Sequence, residues 1–213
     1  GDGTPRRPYD TATDTMAEFM GVRVDPIDSD FKGSFEVITE PPKPVGKVGT
    51  SKFGYIFDGR LNDSFKAVNI LLGKGVKVMR VDEAVTVGDT VLPAGAFVAP
   101  ADSESLLKEL AQDFGIDFYG LEKELEVKVH TVEKPRIAMY QRYYGGNMDE
   151  GWTRFLLEQF LFPYTTVMDK EIKEGNLAER YDVLILPSDP TPMITGENLE
   201  EYYARRMRGG MAL

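Results

Sequence analysis

The segment of residues 136–189 constrains the fold more than any other part of this sequence. Its apolar runs at 137–140 and 183–186 and the β-branched and aromatic run at 164–167 have the length of strands, and helical patterns lie between them. Strands that alternate with helices pair in parallel through right-handed crossovers. The run at 183–186 is apolar at every position, as in strands buried on both faces, so we expect a central strand there. The segment predicts a predominantly parallel α/β fold.

The helix after the first of these strands follows a glycine-rich turn. The turn is Gly145-Gly146-Asn147, and the helix pattern begins directly after it. Apolar and amide side chains then recur at the spacing of one helix face. The members of this face are Trp152, Phe155, Leu156, Gln159 and Phe160. An amphipathic helix that leaves a strand through a glycine turn is typical of a βαβ unit.

The sequence ahead of this segment predicts further helices and strands. Residues 122–133 are charged, with Leu125, Val127 and Val129 alternating, which indicates an exposed strand or an extended connector. A hairpin is predicted from 84–92 to 96–99, turned at 93–95 by Pro-Ala-Gly. The remaining predicted elements are helices at 11–20, 62–72 and 103–114 and strands at 22–24, 53–57, 76–81 and 116–119.

Prolines mark the clearest linker, because Pro41, Pro42 and Pro44 forbid a regular helix or strand ladder there. We therefore predict an N-terminal extension and linker at 1–47, a first α/β unit with a mixed sheet and a β-hairpin at 48–133, and a second, predominantly parallel α/β unit at 134–213. Residues 211–213 resemble the start of a helix, and a doubly wound sheet continues beyond a strand such as 183–186. We expect the second unit to be truncated.

Charge and cysteine content exclude several kinds of function. The formal net charge of -10 argues against a nucleic-acid partner, because phosphate binding needs clustered positive charge. No apolar run approaches the roughly 20 residues that span a bilayer, so no membrane partner is expected. The absence of cysteine excludes disulfides, thiolate metal sites and cysteine nucleophiles. It does not decide the compartment.

Several blocks resemble one family in its own order along the chain. Residues 146–154 (GNMDEGWTR) and 181–187 (YDVLILP) are similar to the region downstream of the catalytic domain in large microbial zinc carboxypeptidases of the carboxypeptidase A superfamily. Residues 7–12 (RPYDTA), 20–22 (MGV) and 93–98 (PAGAFV) fit the same region. The block DEGWTR is fairly specific, whereas each of the others is individually weak. The resemblance covers nearly the whole chain.

The resemblance implies a fold, a partner and a cofactor. The fold is the class I glutamine amidotransferase-like, flavodoxin-like three-layer sandwich, and the partner is a peptidase domain of the same polypeptide. Zinc is implied for that catalytic domain, and no cofactor is expected in this chain. The parent would hydrolyse peptide bonds, and a secreted or periplasmic parent is compatible with the resemblance. This chain alone lacks the cysteine that an amidotransferase uses, so we expect no catalysis from it.

One short motif imitates the zinc site of such peptidases. They bind zinc through a His-x-x-Glu pair and a distant second histidine, because a catalytic zinc takes three protein ligands and keeps one open position. Residues His130 and Glu133 match the pair, but His130 is the only histidine in the sequence. A three-ligand site of that type cannot close. We therefore predict no metal ligand in this chain and interpret His130 as an exposed strand residue.

The turn and the start of the following helix hold the candidate ligand or interface residues. Gly145, Gly146 and Asn147 could present backbone amides to an anion at the helix N-terminus, or could only shape the turn. Asp149 and Glu150 suit the helix dipole themselves and would oppose a bound phosphate. The turn is neither Gly-x-Gly-x-x-Gly nor a Walker loop, so nucleotide binding has no support.

Two arrangements of that helix remain open from the sequence. In one, Glu150 and Arg154 form an i, i+4 ion pair on the helix surface, and Trp152 packs on the sheet. In the other, these residues face a ligand at the carboxyl ends of the strands, or contact the peptidase domain. The corresponding functions are a non-catalytic accessory region that packs on or regulates the peptidase domain, and a stand-alone small-ligand module that uses the 145–154 loop.

Overall fold

The computed structural model describes residues 24–143 and 146–209. The chain is divided into two units between Pro42 and Lys43. The described part of the first unit, residues 24–42, contains no helix or strand, and its Phe31 and Phe35 rings meet edge to face at 5.3 Å. The predictions at 7–12, 11–20, 20–22, 211–213 and Gly145 lie outside the described residues.

The second unit begins with a five-stranded sheet and two helices. Most of the elements predicted for this part of the chain are present. In chain order they are β1 (Gly54–Phe57), α1 (Asn62–Gly73), β2 (Met79–Val81), β3 (Val85–Val87), β4 (Thr90–Leu92), β5 (Phe97–Ala99), α2 (Glu104–Phe114), β6 (Tyr119–Leu121) and β7 (Val129–Thr131). Gly115 ends α2 in the left-handed conformation, with φ of 67°, as its place after the helix predicts.

The strand order of this sheet is β6-β1-β5-β2-β7, and every neighbouring pair is antiparallel. The sequence predicts a mixed sheet for this part of the chain, and the observed sheet is wholly antiparallel. The reason is that β5 lies between β1 and β2, and β1 lies between β5 and β6. Each strand-helix-strand unit is split by a strand of opposite direction, which gives a ferredoxin-like β-α-β-β-α-β arrangement with the β3–β4 hairpin inserted.

Both faces of this sheet are covered by apolar residues, because side chains alternate along each strand. Tyr55 and Phe57 point to the face that packs with α1 and α2, where Leu71 and Leu107 are fully buried. Ile56 points to the opposite face. There it packs with Val98 and Leu121 from neighbouring strands and with side chains of the hairpin and of the 122–128 connector. The chain thus builds two hydrophobic clusters on one sheet.

The hairpin differs from the predicted one. β3 pairs with β4, Val87 facing Thr90, and the turn is Gly88-Asp89, with φ of 58° at Gly88. β5 instead pairs with β1 and β2 in the main sheet. The Pro-Ala-Gly segment at 93–95 leads from the hairpin into β5. Gly88 indicates the hairpin turn better than the Pro-Ala-Gly segment does, because a glycine adopts positive φ without steric cost.

A three-stranded sheet with its helices follows. The strands at 137–140 and 164–167 are confirmed at their predicted bounds. The elements are β8 (Ile137–Tyr140), α3 (Met148–Gln159), β9 (Tyr164–Val167), α4 (Asp169–Glu174), α5 (Leu177–Arg180), β10 (Val183–Ile185), α6 (Thr191–Thr195) and α7 (Leu199–Gly209). All of its strand pairs are parallel, as the alternation of strands and helices predicts.

The order of this sheet is β10-β8-β9, so β8 and not β10 is the central strand. The prediction of a central strand at 183–186 is wrong. Val183 and Leu184 are largely exposed because no strand in the described residues pairs with the other side of β10. At the amino ends of β8 and β10, Arg136 and Asp182 form a bidentate ion pair, with Nη2 to Oδ1 at 2.6 Å.

The two sheets are joined by residues 132–136 and by a side-chain bond. Nδ2 of Asn69 on α1 donates to the carbonyl of Phe160, just after α3, at 2.8 Å. At the predicted boundary at residue 47 the chain already contacts α2 and the segment before β6, since Gly46 N donates to Ala111 O and Val48 bridges to Phe118. Within the described residues, no helix has the length and apolar character needed to cross a membrane.

Candidate functional site

The parallel sheet creates a crevice where the chain changes direction. From β8 the chain crosses to β9 on one side and then returns to β10 on the other side. Helices that follow β8 and β10 therefore diverge at the carboxyl ends of these two strands. In open α/β sheets, ligands bind in the crevice at such a switch point. This topology places the candidate site at residues that directly follow β8, β9 and β10.

A cavity of about 510 Å³ occupies this position. Tyr140 and Arg142 reach it from β8, Asp169 and Lys173 from α4, and Asp189 from the loop after β10. The rest of its wall is mainly apolar. These apolar members are Ile172, Leu184, Leu186, Pro187, Met193 and Ile194. The volume falls in the range of about 300–1,000 Å³ that is usual for small-molecule pockets, and so does the mix of apolar walls and a few polar groups.

The phenol of Tyr140 is fixed inside this crevice. Its hydroxyl donates a hydrogen bond of 2.6 Å to Oδ1 of Asp169, the first residue of α4. Burial raises the pKa of Tyr140, and the hydrogen bond to Asp169 adds to this, so that the pKa reaches about 12. The phenol is therefore neutral at physiological pH and always a donor. The bond also ties the carboxyl end of β8 to the start of α4.

A second polar cluster, formed by Arg142, Asp189 and Asn147, lies at the bottom of the crevice between β8 and β10. Nη1 of Arg142 lies 2.6 Å from Oδ1 of Asp189, and both side chains are largely buried, at 16% and 11% exposure. Nδ2 of Asn147 donates to Oδ2 of Asp189 and to the carbonyl of Ser188, each at 2.9 Å. Arg142 also donates to the carbonyl of Gly146. This network fixes the turn before α3 against the loop after β10.

Asn147 is at the same time the N-cap of α3. Its Oδ1 accepts hydrogen bonds from the backbone N–H groups of Asp149 and Glu150, at 2.9 and 3.3 Å. An anion at this helix end would have to displace that cap. Gly146 has a φ of 43°, which suits glycine, and a Cβ on it would meet open space. Among the described residues of the turn, the geometry thus favours a shaped turn over an anion site.

The helix α3 has its charged side inward and its apolar side outward. Glu150 is only 6% exposed, whereas Met148, Trp152, Phe155 and Leu156 are 78%, 67%, 53% and 55% exposed. These four exposed residues form one stripe at i, i+4, i+7 and i+8, which we call the apolar stripe of α3. Trp152 therefore does not pack on the sheet, contrary to the first of the two arrangements considered. The Trp152 and Phe155 rings stack edge to face at 6.0 Å.

A chain of polar contacts holds the inner side of α3. Oε1 of Glu150 lies 3.3 Å from Nη1 of Arg154, the expected i, i+4 pair. Nε of Arg154 donates to the hydroxyl of Tyr164 in β9 at 2.9 Å, and that hydroxyl donates to Oε1 of Glu158 at 2.6 Å. The hydrogen bond to Glu158 raises the pKa of Tyr164. These contacts connect α3 to β9 through the helix side that carries Glu150 and Arg154.

The His-x-x-Glu motif lies in the other half of the second unit. His130 is on β7, an edge strand among the described residues, and its Nε2 contacts Oδ1 of Asp82. Nζ of Lys128 lies 3.5 Å from Oδ2 of the same carboxylate. No group of three histidine, cysteine, aspartate or glutamate side chains within the described residues is arranged to hold a metal ion. The side chains around His130 therefore do not fit the three-ligand zinc site of the carboxypeptidase family.

Sequence reasoning identified the α3 residues but missed most of the crevice. The sequence patterns did not indicate Tyr140, Asp169, Lys173 or Asp189, although Tyr140 ends one predicted strand and Asp169 and Asp189 lie two and three residues after the others. The usable signal was positional: polar side chains at the carboxyl ends of parallel strands converge at one edge of the sheet. Comparisons of this chain with protein-family models, with curated proteins and with solved structures found no match.

Proposed function

We propose that this chain is a non-catalytic accessory region of a zinc metallocarboxypeptidase-like protein, and that it packs against the peptidase domain of the same polypeptide. The observation that carries the proposal is the apolar stripe of α3. A helix that buries Glu150 and exposes Trp152 and Phe155 has the reverse of the usual polarity of a surface helix. Such a stripe is suited to a protein partner.

The chemistry of the stripe suits a packed interface. Tryptophan is among the residues that most often dominate binding energy at interfaces, and aromatic side chains bury large areas there. Full burial of a large apolar side chain is worth about 1.5–3 kcal/mol. Four partly exposed side chains in one stripe therefore offer a sizeable gain on docking. Trp152 of the stripe lies within DEGWTR, residues 149–154, the most specific block of the carboxypeptidase resemblance.

We further propose that the parallel half follows the flavodoxin-like, class I glutamine amidotransferase-like fold. Numbered along the chain, its strand order is 2-1-3, the beginning of the flavodoxin-like order. The chain steps to one side of β8 and then to the other. Right-handed crossovers would therefore place α3 on one face of the sheet and α4 with α5 on the other. That arrangement is a three-layer sandwich.

The docking proposal can be tested with the single tryptophan of this sequence. The full chain would carry 5-fluorotryptophan, and the unlabelled peptidase domain encoded by the same reading frame would be added. We expect the one ¹⁹F resonance, from Trp152, to shift or broaden at saturation. Phe155→Asp should weaken the association at least tenfold. Val91→Asp is the matched control, because Val91 is an equally exposed apolar residue on the β3–β4 hairpin.

Two outcomes would contradict this function. An unchanged Trp152 resonance, or equal binding by the Phe155 and Val91 variants, would show that the apolar stripe is not the interface. Tight one-site zinc binding to the isolated chain by calorimetry, abolished in His130→Ala, would remove the assignment of this region as non-catalytic. We expect no stoichiometric zinc binding, because His130 is the only histidine and the chain has no cysteine.

The alternative function, a small-ligand module that uses the 145–154 loop, gains less support at that loop. Asn147 already accepts from the amides of Asp149 and Glu150, and its own amide group donates to Asp189. The neighbouring crevice offers a better location for a ligand. Its chemistry is independent of the docking proposal, because none of the four residues of the apolar stripe lines the cavity.

A further inference from the structure

We propose that the crevice at the carboxyl ends of β8 and β10 binds a small zwitterion with an apolar side chain, the chemical class of free α-amino acids such as leucine. The proposal rests on the cavity, on its position at the switch point of the sheet, and on one acid and one base that line it without pairing with each other. It goes beyond an accessory role and does not depend on the docking of α3.

The acid and the base lie on the same face of α4. Asp169 and Lys173 are four residues apart, which places their Cβ atoms about 5–6 Å from each other on a helix. Both line the cavity. Within the described part of the chain, no ion pair of 4.0 Å or less joins them, although the neighbouring Lys170 and Glu174 form such an i, i+4 pair at 3.8 Å.

The other charged side chains of the crevice already have partners within the chain. Arg142 and Asp189 neutralise each other at the bottom of the crevice. Asp169 accepts from the Tyr140 hydroxyl through Oδ1, which leaves Oδ2 for a donor on a ligand. The ammonium of Lys173 has no ion-pair partner among the described residues. The crevice therefore presents one accepting carboxylate and one ammonium to whatever enters it.

This pair of charges selects the class of ligand. A simple carboxylate would meet Lys173 but would bring a second negative charge beside Asp169. A simple amine would meet Asp169 and repel Lys173. A molecule that carries an ammonium and a carboxylate a few bonds apart satisfies both, because each of its charges meets the opposite charge on α4. Nucleotides and other polyanions are disfavoured by the same argument.

The apolar wall determines what else the ligand carries. Leu184, Leu186 and Ile194 line the cavity while 38%, 55% and 56% of their surface stays exposed. A branched or aromatic side chain would cover this surface and gain roughly 25 cal/mol for each Å² of apolar area removed from water. Glycine has no side chain to do so. We therefore expect the affinity to rise from glycine to leucine.

The test uses the full chain, labelled with ¹⁵N, and four ligands that differ by one group each. These are L-leucine, glycine without the side chain, L-leucinamide without the carboxylate, and 4-methylpentanoate without the ammonium. We expect L-leucine to bind at least tenfold more tightly than each of the other three. The amide signals that shift should belong to residues 140–142, 169–173 and 184–189.

Matched variants on α4 separate the proposed site from general surface binding. Lys173→Gln and Asp169→Asn should each weaken L-leucine binding at least tenfold, and Lys170→Gln on the same helix should leave it unchanged. Asparagine keeps an oxygen that can accept from Tyr140, so the second variant removes the charge with little change of shape. The ¹⁵N spectra report whether each variant remains folded.

Three results would overturn the proposal. They are no signal shifts with millimolar L-leucine, equal affinities for L-leucine and glycine, and an equal effect of the Lys173 and Lys170 variants. If 4-methylpentanoate bound as well as L-leucine, the crevice would be a site for apolar carboxylates, and the role given to Asp169 would be wrong.

Discussion

The two sheets of the second unit differ in how completely other elements cover them. The five-stranded antiparallel sheet has α1 and α2 on one face and the hairpin with the 122–128 connector on the other. Its central strands are buried on both sides. The three-stranded parallel sheet buries Ile137, Ala138, Met139 and Val167, but leaves β10 and the apolar stripe of α3 exposed.

This difference indicates that the antiparallel half provides most of the buried core, whereas the parallel half provides the surfaces suited to binding. The antiparallel half provides a core of its own, with large side chains such as Phe57, Leu71 and Leu107 fully buried. The parallel half relies on polar contacts to keep its shape: Arg136 with Asp182 at one end of the sheet, and Arg142, Asp189 and Asn147 at the other. The apolar residues of β10 and of the apolar stripe of α3 remain available for contacts outside these elements. Both proposals therefore concern the parallel half.

The largest expected effect comes from the same substitution made in each half. Leu71→Ala in α1 removes a fully buried side chain and should lower the free energy of unfolding by about 2–5 kcal/mol. Leu156→Ala on the apolar stripe of α3 should change it by no more than about 0.5 kcal/mol. Urea denaturation followed by circular dichroism measures both. Similar losses in the two variants would contradict the comparison.

An intermediate effect is expected from the polar network of the parallel half. Asn147→Ala removes the cap of α3 and the hydrogen bonds to Asp189 and Ser188, so we expect a loss of about 1–2 kcal/mol. Asn147→Ser keeps a capping oxygen but loses the amide donor, and should lie between the wild type and Asn147→Ala in urea denaturation. If alanine cost no more than serine, the cap would not contribute.

The smallest effect concerns the exposed ion pair at the other end of the sheet. The hydrogen bonds from Arg136 lower the pKa of Asp182 to about 2, whereas an unfolded aspartate titrates near 3.9. A lowered folded-state pKa means that the stabilisation is complete above about pH 4 and is lost as the pH falls towards 2. In Asp182→Asn the melting temperature should therefore fall less between pH 5 and pH 2 than in the wild type. An identical fall would exclude the pair as a source of acid sensitivity.

The positions of strands and helices could be predicted from the sequence better than which strands pair with each other. The bounds of β8 and β9 were predicted correctly because a short apolar run in β8 and a run of β-branched and aromatic residues in β9 determine them locally. The pairing of β1 with β5 could not be inferred, because a strand that inserts between two others leaves no trace in local periodicity. The same limit explains why the predicted hairpin was wrong: local periodicity does not show that β5 pairs with β1 and β2 in the main sheet.

The candidate site was predicted only in part, for a related reason. The spacing of Trp152, Phe155 and Leu156 indicates an apolar helix face but not which side the sheet covers. The sequence left open whether Glu150 and Arg154 pair on the helix surface or face the carboxyl ends of the strands, and in the structure they pair with Glu150 buried. Lys173 and Asp169 come close to Tyr140 only through the parallel pairing of β8 and β9, which no local pattern contains.

The exposed position of β10 has a consequence for self-association. Among the described strands, β10 has a neighbour on one side only, so its other side presents unpaired backbone N–H and C=O groups, beside the exposed side chains of Val183 and Leu184. Such an edge can act as a template on which strands of other molecules add. The net charge of -10 opposes this at neutral pH by repulsion between copies. Acidification neutralises carboxylates, so the chain should become more prone to aggregate as its net charge approaches zero.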